Sequence, residues 1–332
     1  MQVSILDQAP ILNNSTAKEA LEQSIQLAVM AEKLGYTRYW IAEHHNLSGL
    51  ACSAPEIMLP VIGAKTKSIR IGSGATLLPH YKPYKVAEMF NMLATLFPNR
   101  IDLGIGRAPG GDAQSSIALS GNYLENVKNM PKTVQELLHF LYNDYPKNEL
   151  FSSISASPLP NIPPEPWILG TSIKSAFLAA ENGISYAFGQ FMSNEDGRQI
   201  IQTYKNQFQK KRKQQPKTIV TVSAICAETS EKAEQIAFSS FLWNLQHHKG
   251  KTLDFPLKEE AKQQLLNSDE FQQFQKNMII GDPTFVVHRL YELKNWYEAD
   301  EMMIITITGS YEERTKSYQL IAEEINRKKS YR

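Results

Sequence analysis

The chain has 332 residues, of which 42% are hydrophobic and 21% are charged, so it can form one large α/β barrel or two ordinary domains. A formal net charge of +1 provides no global field that would attract nucleic acid or an anionic membrane. The sequence shows no basic leader followed by an apolar segment, no apolar run of about eighteen residues, and too few cysteines for a disulfide framework. We expect a cytoplasmic globular protein with no nucleic acid or membrane partner.

Two βα units are predicted at the start of the chain. An apolar strand at 3–6 is followed by a helix that Gly35 ends. A second strand spans 39–42, and a helix from Pro55 to about Lys65 completes the second unit. Three chemically active side chains follow the second strand directly, namely Glu43, His44 and His45.

Units three and four share the glycine-rich stretch at 69–112. Gly72 and Gly74 lie in its first apolar strand, which indicates that another group approaches the backbone closely. A helix with apolar residues three and four positions apart comes next, and a short apolar strand follows at 101–105. Strand, helix and strand at this spacing predict parallel pairing with a right-handed crossover. On the helix, Met89, Phe90 and Met92 fit either the core or a subunit interface, and we assign them to the core.

The remaining elements continue the alternation of strands and helices. In chain order, helices are predicted at 122–142, 174–182, 194–213, 230–245, 281–296 and 311–327, and strands at 167–169, 184–188, 218–226 and 302–307. A polar, glutamine-rich stretch at 246–277 interrupts this order, and we expect it to be a mobile excursion over the barrel mouth.

Eight strands that alternate with helices predict a (β/α)8 TIM barrel of the α/β class, formed by 1–332 as one domain, with an insertion before the eighth strand. The alternative is a doubly wound open sheet, which normally carries a nucleotide-binding fingerprint after its first strand. Asp7, Gln8 and Ala9 stand at that position and form no such fingerprint.

A barrel gathers the residues at the carboxyl ends of its strands around one mouth. The residues expected there are Glu43, His44, His45, Gly74, Ala75, Gly106, Arg107, Thr171, Ser172 and Gly189. Arg107 in its glycine-rich turn suits a phosphate, and Ser172 and Ser175 at a helix N-terminus suit an anion. The alternatives are an arginine paired with an acidic neighbour and an ordinary helix cap.

His44 is the candidate for proton transfer or for orienting a substrate. Adjacent strand residues point to opposite faces, so His44 and His45 do not easily bind one metal ion, and we predict no metal site. His80 is a second candidate near the rim. The sequence contains neither the G-x-S-x-G elbow of serine hydrolases nor a P-loop.

Several motifs resemble those of the bacterial luciferase-like flavin monooxygenase family. They are WIAEHHN from Trp40, GSGATLLPHYKPYKVAE from Gly72, PNRIDLGIGRAPGG from Pro98, WILGTS with SAFLAAENG from Trp167, and GDPTFVVHRL with DEMMIITIT near the C-terminus. The resemblance covers nearly the whole chain. It implies a barrel that binds FMN, in the reduced form delivered by a separate flavin reductase, and oxidises a small organic molecule with O2.

The resemblance also implies roles for individual residues. Arg107, Thr171, Ser172 and Ser175 match positions that hold the flavin phosphate, although Thr171 replaces an acidic residue of luciferase. Gly74 and Ala75 match a pair under the isoalloxazine that can carry a cis peptide bond, and His44 matches the catalytic histidine. Family barrels often form homodimers through helices near the second and third units. Deazaflavin-dependent hydride transfer and flavin binding without catalysis stay open as alternatives.

Overall fold

The computed structural model describes residues 1–12, 15–212, 215–248 and 278–330. Within these ranges the strands are β1 (Gln2–Asp7), β2 (Arg38–Ile41), β3 (Arg70–Leu77), β4 (Ile101–Gly106), β5 (Glu165–Gly170), β6 (Ser185–Gly189), β7 (Thr218–Cys226), β8 (Met278–Gly281) and β9 (Glu301–Ile305). All pairings between these strands are parallel.

The α-helices of the described residues follow the strands in chain order. They are α1 (Ala17–Leu34), α2 (Pro55–Lys65), α3 (Pro83–Leu96), α4 (Ala113–Ser120), α5 (Tyr123–Lys128), α6 (Met130–Tyr142), α7 (Ile173–Asn182), α8 (Gly197–Gln207), α9 (Ser230–His248), α10 (Pro283–Tyr297) and α11 (Tyr311–Ser330). Short 3-10 turns follow β3 at Leu78–His80 and β6 at Gln190–Met192. In the described part of the chain, no helix is long and apolar enough to span a membrane.

The predicted barrel is confirmed. Strands β1 to β7 pair in sequence, and β9 closes the barrel by pairing with both β7 and β1. Strand β8 was not predicted, and it pairs with the end of β7 outside the barrel, with Met278 opposite Ser223. Its four residues are too short to show a periodicity of their own. The predicted excursion at 246–277 lies outside the described residues, except for its first three residues, which end α9.

Local signals explain where most helices begin and end. Thr16 and Glu19 form a reciprocal capping box at α1, and Gly35 ends that helix with a φ of 81°. The helix predicted at 122–142 is instead two helices, α5 and α6, which meet at Asn129. Pro131 lacks an N–H group, so it is favoured in the first turn of α6 and disfavoured inside one continuous helix. The helix predicted at 194–213 is shorter at both ends: Asp196 caps its start at Gly197, and it ends at Gln207.

The amino-terminal end of the barrel is closed by a buried network of charges. Arg38 donates hydrogen bonds to Glu301 (2.9 Å) and Asp102 (2.8 Å), and Trp40 donates to the same Asp102 oxygen at 2.9 Å. The guanidinium of Arg38 lies 4.8 Å from the ring centre of Trp167. Above this network, apolar side chains fill the barrel interior. A ligand therefore has access from the opposite end, at the carboxyl ends of the strands.

Candidate functional site

Three neighbouring strands, β4, β5 and β6, place the proposed phosphate-binding residues side by side. Ile105 of β4 pairs with Ile168 of β5. Arg107 and Gly170, each two residues further along, therefore occupy matching positions on the two neighbouring segments. Gly170 in turn pairs with Phe188 of β6, so Thr171 and Gly189, one residue further along, also occupy matching positions. Residues far apart in sequence thus meet at the carboxyl ends of adjacent strands, as predicted from the barrel.

His44 follows β2 and is largely buried. Its backbone N–H donates to the carbonyl of Cys52 at 2.9 Å, and its Nδ1 atom has no partner among the described residues. Burial, helped by the nearby His45, lowers the pKa of His44 from 6.5 to about 4. The imidazole is therefore neutral near pH 7, and its free Nδ1 can exchange a hydrogen bond or a proton with a bound molecule.

Glu43 is buried beside His44, but its carboxylate is fully engaged by the protein. It accepts hydrogen bonds from the N–H of Leu77 (3.0 Å) and the hydroxyl of Tyr81 (2.8 Å), and it lies 2.8 Å from Nε2 of His45. Burial raises the pKa of Glu43, while these hydrogen bonds act in the opposite direction. These contacts join the ends of β2 and β3, so Glu43 can shape the site without a ligand contact of its own.

Gly74 and Ala75 are joined by a cis peptide bond in β3. A Cβ atom on Gly74 would lie 2.5 Å from Leu6 Cδ1 and 3.0 Å from Trp40 Cβ, so a larger residue does not fit there. The sequence predicted that another group comes close to this strand, and the structure shows that this group consists of side chains in the barrel interior. The next residue, Thr76, has a buried hydroxyl without a partner in the described ranges.

Arg107 begins the loop at 107–112, hereafter the Arg107 loop. Its guanidinium is exposed and makes no ion pair or hydrogen bond with any residue that the structure describes. The alternative in which Arg107 pairs with an acidic neighbour is therefore not seen in this part of the chain. Gly106, just before it, packs against Ala75, since a Cβ there would lie 3.0 Å from Ala75 Cβ. Arg107 is available to bind an anion.

The N-terminus of α7 is a reciprocal cap formed by Ser172 and Ser175. The Ser175 hydroxyl donates to the carbonyl of Ser172 at 2.6 Å and lies 3.0 Å from the hydroxyl of Tyr186. Gly170 is required here, because a Cβ would approach Ser175 Oγ to 2.3 Å. The predicted alternative of an ordinary cap is thus present, and the Ser175 hydroxyl already has two protein partners. The helix dipole still favours an anion at this end.

The charge of Arg107 reaches this helix end. Burial raises the pKa of Tyr186 well above its usual value, and the positive charge of Arg107 acts in the opposite direction. Arg107 follows β4, and Ser175 and Tyr186 belong to α7 and β6, so these groups lie on neighbouring units of the barrel. Tyr186 and Thr76 were not singled out from the sequence, although Thr76 directly follows the Gly74 and Ala75 pair. Among the described residues, no cluster of three or more His, Cys, Asp or Glu side chains could hold a metal ion.

Comparison with known proteins finds relatives over the full length of the chain. The family model described as luciferase-like monooxygenase matches residues 1–298. Uncharacterized protein YwcH of Bacillus subtilis (strain 168) is 40% identical over 328 residues, which cover 97% of this chain and 98% of that protein. N-acetyl-S-alkylcysteine monooxygenase of the same strain is 34% identical over 330 residues, which cover 98% of each chain.

Solved structures share the barrel. The crystal structure of apo-MsnO8 has a TM-score of 0.90 and 32% identity, with 98% of both chains covered. The oxygenating constituent of 3,6-diketocamphane monooxygenase, solved in complex with FMN, has a TM-score of 0.71 at 19% identity, covering 99% of this chain and 98% of that one. An F420-dependent secondary alcohol dehydrogenase has a TM-score of 0.69 at 14% identity, covering 98% of both. The last two share the fold alone, whereas the family model and the full-length relatives show that this chain belongs to the luciferase-like monooxygenase family.

Proposed function

We propose that the protein is an FMN-dependent monooxygenase that uses reduced FMN and O2 to oxidise a small organic molecule. When bound, reduced flavin supplies the two electrons with which one oxygen atom of O2 enters the substrate and the other leaves as water. Membership of a monooxygenase family supports this reaction class. The structure of a barrel relative with FMN bound supports the choice of cofactor.

The donor groups at the mouth fit such a cofactor. Arg107 has no ion partner among the described residues, and it stands beside the N-terminus of α7. A guanidinium can bind two phosphate oxygens at once, while the helix end adds a favourable dipole. At the ends of β2 and β3, His44 and Thr76 offer buried polar atoms that have no partner among the described residues, and the reactive part of a cofactor or substrate can form hydrogen bonds with them.

A flavin reductase partner is part of this proposal, because reduced FMN acts here as a co-substrate rather than as a permanently bound group. His44 is then the residue that accepts or donates a proton, or orients the substrate, at the reacting face. The apolar interior beneath it, which includes Trp40 and Leu6, keeps water away from the reacting atoms. The full-length relative named N-acetyl-S-alkylcysteine monooxygenase makes N-acetyl-S-alkylcysteines the first substrates to test.

The observation that carries the proposal is the exposed guanidinium of Arg107, which has no partner among the described residues and follows β4, the neighbour of the strand that leads into α7. Replacing Arg107 with alanine should weaken FMN binding by about 1.5 to 3 kcal/mol, as expected for the loss of a charge-assisted contact. Riboflavin lacks the phosphate, so its affinity should stay within a few-fold. Anaerobic fluorescence titrations with FMN and riboflavin, in oxidised and reduced forms, measure both values.

Arg289→Ala is the matched control, because Arg289 is an exposed arginine on α10 that pairs with Glu292. It should leave both affinities unchanged. An unchanged FMN affinity in Arg107→Ala would place the phosphate elsewhere, and equal affinity of the wild type for FMN and riboflavin would show that the protein does not recognise the phosphate. Binding of deazaflavin F420 in place of FMN would favour the hydride-transfer alternative, and flavin binding without oxidation of any substrate would favour a passive binder.

We also propose that the protein forms a homodimer through α2 and α3. These helices pack together, since a Cβ on Gly63 of α2 would lie 2.6 Å from the Phe97 ring at the end of α3. Their outer faces expose four large apolar side chains, namely Ile57, Val61, Met92 and Leu96. The core assignment of Met92 was wrong: its side chain is 52% exposed, whereas Phe90 is fully buried. A second copy of the chain presents the same stripe and can cover it.

The dimer is tested by its mass in solution. Multi-angle light scattering should give twice the monomer mass for the wild type, and the double variant Ile57→Glu with Leu96→Glu should give the monomer mass. Burying four carboxylates, two from each copy, in an apolar interface is strongly unfavourable. Leu150→Glu, at another exposed leucine, should leave the dimer intact. A monomeric wild type would contradict the proposal.

A further inference from the structure

The backbone of the Arg107 loop is held by groups from three other segments. The carbonyl of Arg107 accepts from the Tyr123 hydroxyl at 2.5 Å, the carbonyl of Pro109 lies 2.8 Å from Nε2 of His80, and the carbonyl of Gly110 accepts from the N–H of His45 at 2.8 Å. The loop is thus fixed through its backbone while the guanidinium of Arg107 stays unpaired within the described ranges.

Tyr123 contributes to two of these three contacts with the loop backbone. Its hydroxyl holds the Arg107 carbonyl directly, and its ring stacks on the ring of His80, with centres 5.3 Å apart and planes 29° from parallel. His80 must carry its proton on Nε2 to donate to the Pro109 carbonyl, because a carbonyl only accepts. Asn126, one turn further along α5, donates to the Pro79 carbonyl at 2.8 Å and so fastens this helix to the same turn.

The consequence concerns the direction of the Arg107 side chain. A flexible arginine loses rotamer freedom when it binds, and part of that cost is removed if its backbone is already held in the binding orientation. A hydrogen bond to the Arg107 carbonyl fixes the peptide plane directly after the Cα atom that carries the guanidinium. Outer groups that orient a binding residue in this way commonly affect affinity although they never touch the ligand.

We infer that Tyr123 is a positioning residue for the phosphate of the cofactor, and that it acts through the Arg107 backbone. This inference rests on the proposed function, since it requires that Arg107 binds the phosphate. It assigns Tyr123 no contact with the cofactor and no part in the oxidation itself. The residue should therefore affect the affinity for phosphate-bearing flavin and leave the turnover rate at saturating flavin unchanged.

The test compares FMN with riboflavin as probes. Tyr123→Phe keeps the ring that stacks on His80 and removes the hydroxyl that holds Arg107. We expect FMN affinity to fall about three- to tenfold, in line with the loss of one hydrogen bond, and riboflavin affinity to stay within twofold. Tyr84→Phe is the matched control, because the Tyr84 hydroxyl also donates to a loop carbonyl, that of Ser155 at 3.1 Å. It should change neither affinity.

A second comparison separates positioning from general stability. In an Arg107→Ala background, adding Tyr123→Phe should cause no further loss of FMN affinity, because the group that Tyr123 positions is gone. An unchanged FMN affinity in Tyr123→Phe, an equal loss for riboflavin, or a full additional loss in the double variant would each overturn the inference. If Arg107→Ala itself binds FMN as tightly as the wild type, the proposed phosphate site fails first, and the two failures are thereby distinguished.

Discussion

Replacing His44 with alanine is expected to lower turnover by about 10²- to 10⁴-fold, the range typical of a lost acid–base group, while FMN affinity stays within a few-fold. His44 follows β2 at the mouth, and its Nδ1 atom lacks a partner among the described residues, so it is free to act on a bound molecule. The measurement is substrate-dependent oxygen consumption with a flavin reductase that supplies reduced FMN.

The control for this variant is His288→Ala, since His288 is an exposed histidine on α10 and should leave turnover unchanged. Unchanged turnover in His44→Ala would remove His44 from the reaction. A loss of FMN binding equal to the loss of turnover would show a structural or binding role instead.

The pH dependence of the same residue follows from its lowered pKa. His44 has a pKa of about 4 in the folded protein and 6.5 when unperturbed, so the folded state disfavours its protonation. Its contribution to stability is fully present above pH 6.5 and is lost as the pH falls through about 4. The free energy of unfolding of His44→Ala should therefore fall less than that of the wild type between pH 6.5 and 4. Parallel urea titrations at several pH values show the difference.

Replacing Arg314 with methionine is expected to lower the free energy of unfolding by about 3 to 5 kcal/mol, because it leaves a buried carboxylate without its partner. Arg314 on α11 is buried, pairs with Asp7 at the end of β1, and donates from Nε to the carbonyl of Thr306 at 3.0 Å. It thereby ties the last helix to the two strands that close the barrel. Denaturant unfolding followed by circular dichroism gives the value.

Asp7 has further partners that make its charge sensitive to this change. It accepts hydrogen bonds from the N–H of Ala9 at 2.6 Å and from the hydroxyl of Tyr39. Burial acts to raise the pKa of Asp7, and Arg314 together with these hydrogen bonds lowers it on balance. Replacing Arg314 removes the largest compensation, and Asp7→Asn in the same chain should restore part of the stability by removing the unpaired charge.

Arg289→Met is the control for the loss of one arginine charge. The Arg289 and Glu292 pair lies at the surface and contributes little to the free energy of unfolding. Arg289→Met should change the free energy of unfolding by less than about 1 kcal/mol. A similarly small change in Arg314→Met would mean that water or neighbouring groups compensate the Asp7 carboxylate.

The order of elements was largely predictable from the sequence. Short apolar runs and period-3.6 patterns, with Gly35 and Gly183 as helix stops, locate the barrel strands and most helices because these signals are local. The break at Asn129 also had a local signal in Pro131, which the long apolar pattern of 122–142 obscured. Met92 was misassigned because helical spacing shows which residues are apolar, whereas exposure depends on what packs against the helix.

The candidate site likewise has features that the sequence predicts and features that it does not. That Glu43, His44, Arg107 and the Ser172 cap lie at one mouth follows from their positions after barrel strands, so the sequence alone determined the set of residues. Which of these side chains already have hydrogen-bond partners within the protein could be seen only in the tertiary structure. Glu43 is engaged by Leu77 and Tyr81, and Ser175 by Tyr186, through contacts that no local pattern encodes.

What the sequence by itself determined is therefore the barrel, the strand ends and the chemical types of side chain placed there, because backbone propensity and alternation act over a few residues. The tertiary structure alone decided which of those side chains are already satisfied by the protein and which are free. Asp7 illustrates the reason: its neutralising partner, Arg314, is 307 residues away, and only closure of the barrel brings the two together. Burial and pairing depend on such distant contacts, and they set both the pKa of His44 and the availability of Arg107.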